Sequence, residues 1–120
     1  MNKDSSKQGI KFCYFYERRN QGKRLSKGHG GIITAMTELC SDTQVLKVAF
    51  AYCSPKDIFN KKIAHQICQG RIQNNRWIET PFTGNSFIDV ANYWNEMDEK
   101  FKPKFCKRWN INSETGDIWY

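Results

Sequence analysis

The feature that most constrains this chain is a change of period inside one unbroken stretch, residues 45–71. From Val45 to Cys53 the sequence VLKVAFAYC alternates, and the two-residue period puts Leu46, Val48, Phe50 and Tyr52 on one core-facing side of a strand. After Ser54 the spacing becomes helical, with Phe59, Ile63 and Ile67 recurring at i, i+4 and i+8. The junction Ser54-Pro55-Lys56-Asp57 predicts the helix start: serine at the N-cap, proline at the first helical position and a carboxylate two residues further on. Gly70 predicts the stop. A strand that runs into a helix over about 55–69 excludes all-α and all-β folds.

The remaining elements follow the same two periods. Lys11–Glu17 (KFCYFYE) has the aromatic density of a strand, and Gly31–Leu39 and Val45–Cys53 flank the turn-forming Cys40-Ser41-Asp42-Thr43, which predicts an antiparallel hairpin. Residues 73–82 read as a loop and short strand around Trp77 and Ile78, with 74–80 the stretch that could join the sheet and Pro81 keeping it from the centre. A second helix begins at Ser86, repeats Phe87, Val90, Ala91, Trp94, Met97 and Phe101 at helical spacing, and ends by Pro103. The expected fold is a single α+β domain over residues 10–120, a small antiparallel sheet of three or four strands with two packed helices, preceded by a polar tail at 1–9. At 120 residues the chain can bury one core without disulfide or metal staples. No apolar run approaches the roughly 18 residues of a membrane span, and the N-terminus has no apolar signal stretch, so the expectation is a cytoplasmic protein with no membrane partner.

Five cysteines, at positions 13, 40, 53, 68 and 106, lie at least 13 residues apart. Neither a disulfide framework nor a CxxC motif is visible, which predicts reduced structural thiols, no metal and no cofactor. Short-spaced ligand pairs that would recruit His29 or His65 to a zinc site are missing. Gly22-Lys23 is not a phosphate-binding P-loop, because no glycine stands five residues earlier and no Ser or Thr follows the lysine. Glu38, Asp42, Asp57 and Glu79 form no metal-nuclease pattern, and the expectation is a protein without catalytic activity.

Nineteen Lys and Arg against twelve Asp and Glu give a net charge of +7, which favours polyanionic or acidic partners. Three constellations carry that charge. The segment 18–31 supplies Arg18, Arg19, Lys23, Arg24 and Lys27 among four glycines, a loop able to wrap a phosphate backbone and order on binding. On the first helix, Lys61, Lys62, His65 and Gln69 cluster opposite the Phe59/Ile63/Ile67 stripe, with Lys56 before them and Arg71 just past the stop. The segment 102–108 adds Lys102, Lys104, Lys107 and Arg108. The plain alternative for each is a solvated surface. Tyr14, Tyr16, Trp77, Trp109 and Trp119 are the aromatics placed near this charge that could stack on bases. Residues 84–101 hold four acids and one lysine, with Asp89, Glu96 and Glu99 on the outer face of the second helix.

The strand ending in Cys53-Ser54-Pro55-Lys56-Asp57, continuing through Phe59-Asn60-Lys61-Lys62-Ile63 and closing at Gly70-Arg71, resembles a block in short phage-encoded accessory proteins of mostly unknown activity. It covers about residues 45–71, and Ala64 stands where the resemblance leads one to expect glycine. The resemblance implies an accessory protein of a mobile element, a setting rich in DNA binders and in inhibitors of host enzymes or defence systems. The leading expectation is a small basic protein that binds nucleic acid or a nucleoprotein complex through the loop, the helix face and the 102–108 segment. One alternative is a protein-directed inhibitor of a host enzyme or defence system, an anti-CRISPR or other anti-defence factor, that docks on an acidic or nucleic-acid-binding surface. The other is a pocket for a nucleotide or cyclic nucleotide signal.

Overall fold

In the computed structural model, which describes residues 9–17, 31–54, 57–102 and 109–119, the α+β domain is built on one six-stranded sheet. Its strands are β1 (Ile10–Glu17), β2 (Ile32–Cys40), β3 (Val45–Cys53), β4 (Ile78–Pro81), β5 (Asn110–Ile111) and β6 (Asp117–Trp119), in the order β4-β3-β2-β1-β6-β5. The β2/β3 hairpin pairs over its full length, from Ile32↔Cys53 to Cys40↔Val45, and Gln44 closes its turn in the left-handed region at φ 55°. β1 and β4 join antiparallel on either side, and β4, which ends in Pro81, is an edge strand as expected. Gly9, expected in the tail, already belongs to this ladder, its carbonyl accepting from the Leu39 N–H.

β5 and β6 were not anticipated. They are two and three residues long, too short for a period to show, and β6 lies parallel to β1. The tight turn before β6 holds it there: the Gly116 carbonyl accepts from the Tyr16 N–H. Gly116 sits at φ +79°, and a Cβ there would come within 2.9 Å of the Phe87 ring, so only glycine fits.

The two helices, α1 (Lys61–Gln73) and α2 (Ser86–Glu96), cover opposite faces of the sheet. Phe15, Ile33, Leu46 and Val48 face α2 and bury Val90, Ala91 and Trp94, with Trp109 and Ile111 closing the side of that core. Phe50 and Tyr52 share this face as the alternation predicts, and pack edge-on against Trp94 and Trp109. On the other face Met36, Ala49 and Ala51 meet Ala64 and Cys68 of α1.

Both helices depart from expectation at their ends. α1 starts at Lys61, where the Asn60 side chain accepts from the Ile63 N–H at 3.1 Å; the expected cap, Ser54, instead closes a turn by accepting from the Asp57 N–H. Asparagine caps a helix as well as serine does, and this later start lets the lead-in place Phe59 against the sheet. α1 runs through Gly70 and ends at Gln73; Asn75, just past the Asn74 cap, takes φ 60° while the N–H groups of Asn75 and Arg76 return to the carbonyls of Ile72 and Arg71. This is the paired closure of a Schellman motif with asparagine in the glycine position. α2 is capped by Asn85, one residue before Ser86, and stops at Glu96. Asp98 then caps a single 3-10 turn, Glu99–Phe101, which leaves Phe101 71% exposed rather than in the core. Asp89, expected on the outer face, is buried and accepts from the N–H and hydroxyl of Thr83.

The larger correction is the rotation of α1. Of its expected core stripe, Phe59 packs on the sheet but Ile63 and Ile67 face outward, 53% and 41% exposed, and the buried helix positions are Ala64 and Cys68. Small residues on both sides of the contact let helix and sheet approach closely: the Cys68 Sγ lies 3.7 Å from the Thr34 carbonyl oxygen and 3.6 Å from that of Ala49. Isoleucines turned inward would hold the helix away from these carbonyls.

Candidate functional site

The rotation decides where the cationic helix face points. Turning Ala64 and Cys68 onto the sheet brings the flank that carries Lys61, Lys62, His65 and Gln69 alongside β1, whose Phe12, Tyr14 and Tyr16 line this face of the sheet. The His65 ring stacks on Phe12 with centroids 3.6 Å apart, and the Tyr14 hydroxyl lies 2.5 Å from His65 Nε2. Lys61 Nζ stands 5.1 Å from the Tyr14 ring centroid, and Phe59 meets the same ring edge-on.

The charge states agree with this geometry. Burial first, and then the Lys61 ammonium, holds His65 below its ordinary 6.5. Burial raises Tyr14 above its ordinary value, so the phenol keeps its proton and donates to the imidazole in the tautomer that leaves Nε2 bare. Lys61, Lys62 and Gln69 are exposed, which leaves a polar, cationic border along a partly covered aromatic row.

Arg71 does not join this group. It lies on the opposite flank of α1 and donates from its guanidinium to the Phe50 carbonyl at the edge of the sheet. Lys102 is only 7% exposed, with Nζ 5.4 Å from the Trp94 ring, so it packs against the α2 core instead of facing solvent. Of the candidate stacking residues, Trp109 is buried, Trp77 is half-buried with Lys47 Nζ 4.5 Å from its ring centroid, and Tyr14 and Tyr16 are half-buried on β1. Arg18, Arg19, Lys23, Arg24, Lys27, Lys56, Lys104, Lys107, Arg108 and the Trp119 side chain lie outside the described residues.

What surrounds those undescribed residues is informative. Segments 18–30, 55–56 and 103–108 together contain nine Lys and Arg and no acid, whereas the described residues contain eight Lys and Arg against eleven Asp and Glu. The described body is thus slightly acidic, and the positive charge of the chain is concentrated in short segments. Glu17 ends β1, Gly31 precedes β2, Ser54 follows β3 and Trp109 precedes β5. The registers Tyr16↔Ile32, Ile32↔Cys53, Glu17↔Ile118 and Asn110↔Trp119 put all four of these flanking residues at one end of the sheet. Tyr14, Tyr16 and Lys61 lie towards the same end, because Lys61 stands over Tyr14 three residues from the close of β1. Sequence spacing puts Lys61, Lys62, His65 and Gln69 on one flank of the helix but could not show this shared end, which exists only through strand pairing.

Three of the described thiols are poorly suited to nucleophilic chemistry. Cys13, Cys40, Cys53 and Cys68 are free; burial pushes Cys68 up to about 11 and raises Cys13 and Cys53 as well, which keeps all three protonated at neutral pH. Among the described residues no group of three or more His, Cys, Asp or Glu side chains is arranged to hold a metal ion, and no helix is long and apolar enough to cross a membrane. Set against family models, curated proteins and solved structures, the chain matches none.

Proposed function

We propose that this chain is a non-enzymatic nucleic-acid-binding protein that presents the basic end of its sheet to the phosphate backbone. The observation that carries this reading is the charge partition: nine cations without an acid, flanked by residues at one end of a body that is itself slightly acidic. Such a molecule has a directional field. It orients its basic end towards a polyanion during approach, while the acidic remainder is repelled. Binding through lysines and arginines on phosphates releases condensed counterions and reads little sequence. Lys61, Lys62 and Gln69 extend the contact along α1, and Tyr16 is the half-buried aromatic nearest that end for stacking an unpaired base.

The resemblance of residues 45–71 to phage-encoded accessory proteins fits a role on phage or host nucleic acid in the host cytoplasm. Affinity for a generic single-stranded or duplex oligonucleotide, measured across salt, tests the reading: log affinity should fall linearly with log salt, by about 0.7 to 0.9 for each phosphate contacted. Absence of binding at low salt refutes it.

One observation favours a protein partner instead. Ile58, Ile63 and Ile67 are exposed together and border a hollow of about 200 Å³ lined by Ala51, Cys53 and Phe59, an apolar surface of the kind proteins dock on. Nuclease-resistant association with a host protein, abolished by Ile63→Ser with Ile67→Ser, would support that inhibitor reading.

A further inference from the structure

On the sheet edge away from β1, the chain leaves a cleft whose origin is a mismatch of strand lengths. β3 runs to Cys53, but its partner β4 begins only at Ile78, opposite Val48. The chain cannot pair further because the turn that ends α1 draws the Arg76 N–H back onto the Arg71 carbonyl at 2.7 Å. Where residue 76 would have bonded Phe50, the Arg71 guanidinium takes the Phe50 carbonyl instead. The ladder alternates, with Gln44 accepting from Phe82 and Val48 opposite Ile78, so the Phe50 N–H points the same way, into the gap.

The resulting cleft has a volume of about 610 Å³, within the range of roughly 300–1,000 Å³ that encloses small organic ligands. Phe50, Trp77, Tyr93 and Trp94 are among the residues that line it. Arg71 and Arg76 supply cations on the α1 side, while Glu96 and Asp98 supply carboxylates where α2 ends.

We infer that this cleft is a binding site for a nucleoside monophosphate. A flat ring suits a lining that includes Phe50, Trp77 and Tyr93. The guanidinium pair suits a phosphate, and Arg71 retains donors beyond the one it gives to Phe50. Carboxylates opposite accept from ring N–H and amino groups of the base. A bare anion would match the guanidinium groups but leave the Glu96 and Asp98 carboxylates without donors. An added peptide strand is disfavoured, because Arg71 already occupies the carbonyl with which such a strand would begin its ladder.

The site is separate from the basic end of the sheet and stands or falls independently of the nucleic-acid reading. Titration calorimetry of the full chain with AMP, GMP, CMP, UMP and inorganic phosphate tests it, together with the shift of the Trp77 indole N–H resonance. At least one mononucleotide should bind saturably and move that resonance. Arg76→Gln, a change at an exposed residue, should weaken the nucleotide about tenfold but leave the matching phosphate-free nucleoside unaffected. Replacing Arg18, Arg19, Lys23, Arg24 and Lys27 with glutamine should leave mononucleotide binding unchanged even where it abolishes oligonucleotide binding. The inference is overturned if none of the four mononucleotides binds, if inorganic phosphate binds as tightly as they do, or if Arg76→Gln has no effect.

Discussion

The two faces of the sheet are packed by different rules. Under α2 the contacts are large: Trp94 and Phe15 are fully buried, and Trp94 lies edge-on to Phe50 with centroids 5.0 Å apart. Under α1 the fully buried contacts are small, with Ala64 and Cys68 on Ala49 and Ala51, and Ile63 and Ile67 are turned to solvent while Ile72 packs at the margin. Hydrophobic period therefore located the core correctly on one face and misplaced it on the other. It finds where apolar side chains recur, whereas burial depends on how closely two backbones can approach.

The sharpest way to break this contrast is Trp94→Ala. It should cost about 3–5 kcal/mol in urea denaturation, since it empties a large fully buried site and removes the indole N–H that donates to the Trp109 carbonyl at 3.0 Å. A loss below about 1 kcal/mol would mean that this face is no better packed than the other. Cys68→Leu probes the close contact directly and should destabilise by about 1–3 kcal/mol through overpacking, despite being a larger and more apolar residue. A stabilising outcome would show that α1 has room to spare.

Ile63→Ala should change stability by only about 0.5 kcal/mol, because the side chain is more than half exposed. With Ile63 in the core, the same change would cost about 2–5 kcal/mol, so the mutation decides the helix rotation. The smallest expected effect is that of pH on the β1 border. His65 has a lowered proton affinity in the fold, so the unfolded chain binds the proton better. Its contribution is intact above the ordinary 6.5 and is lost as pH falls from there towards the folded value. Urea midpoints at about pH 7.5 and about pH 5 should therefore differ more for wild type than for His65→Gln. Equal differences would remove the imidazole from the account.

Much of the fold was legible. β1, β2 and β3 and the intervening turn follow from period-two runs and turn residues, and the α2 stripe at Val90, Ala91 and Trp94 from helical spacing. The α1 start was misplaced because Ser54 and Asn60 are both good caps, and only the packing of Phe59 separates them. β5 and β6 are held by a glycine turn and by pairing with β1, neither of which has a local period. In the site, helical spacing grouped Lys61, Lys62, His65 and Gln69, but it could not foresee that Arg71 would reach across the sheet edge to Phe50 or that Lys102 would be buried beside Trp94. The cleft was invisible for the same reason: it arises from where a strand fails to continue.

The central claim is that affinity for nucleic acid resides at one end of the sheet, and salt dependence measures it most directly. Oligonucleotide affinity across salt would be compared for wild type, for Arg18, Arg19, Lys23, Arg24 and Lys27 changed together to glutamine, and for Lys11 and Lys47 changed to glutamine. The last two lie near the starts of β1 and β3 and so towards the opposite end. The account predicts that the first variant binds more weakly and has a log–log slope shallower by about 0.7 per lost contact on single strands, while the second keeps the wild-type slope. Equal losses in both variants, or no salt-dependent binding by the wild type, would contradict it.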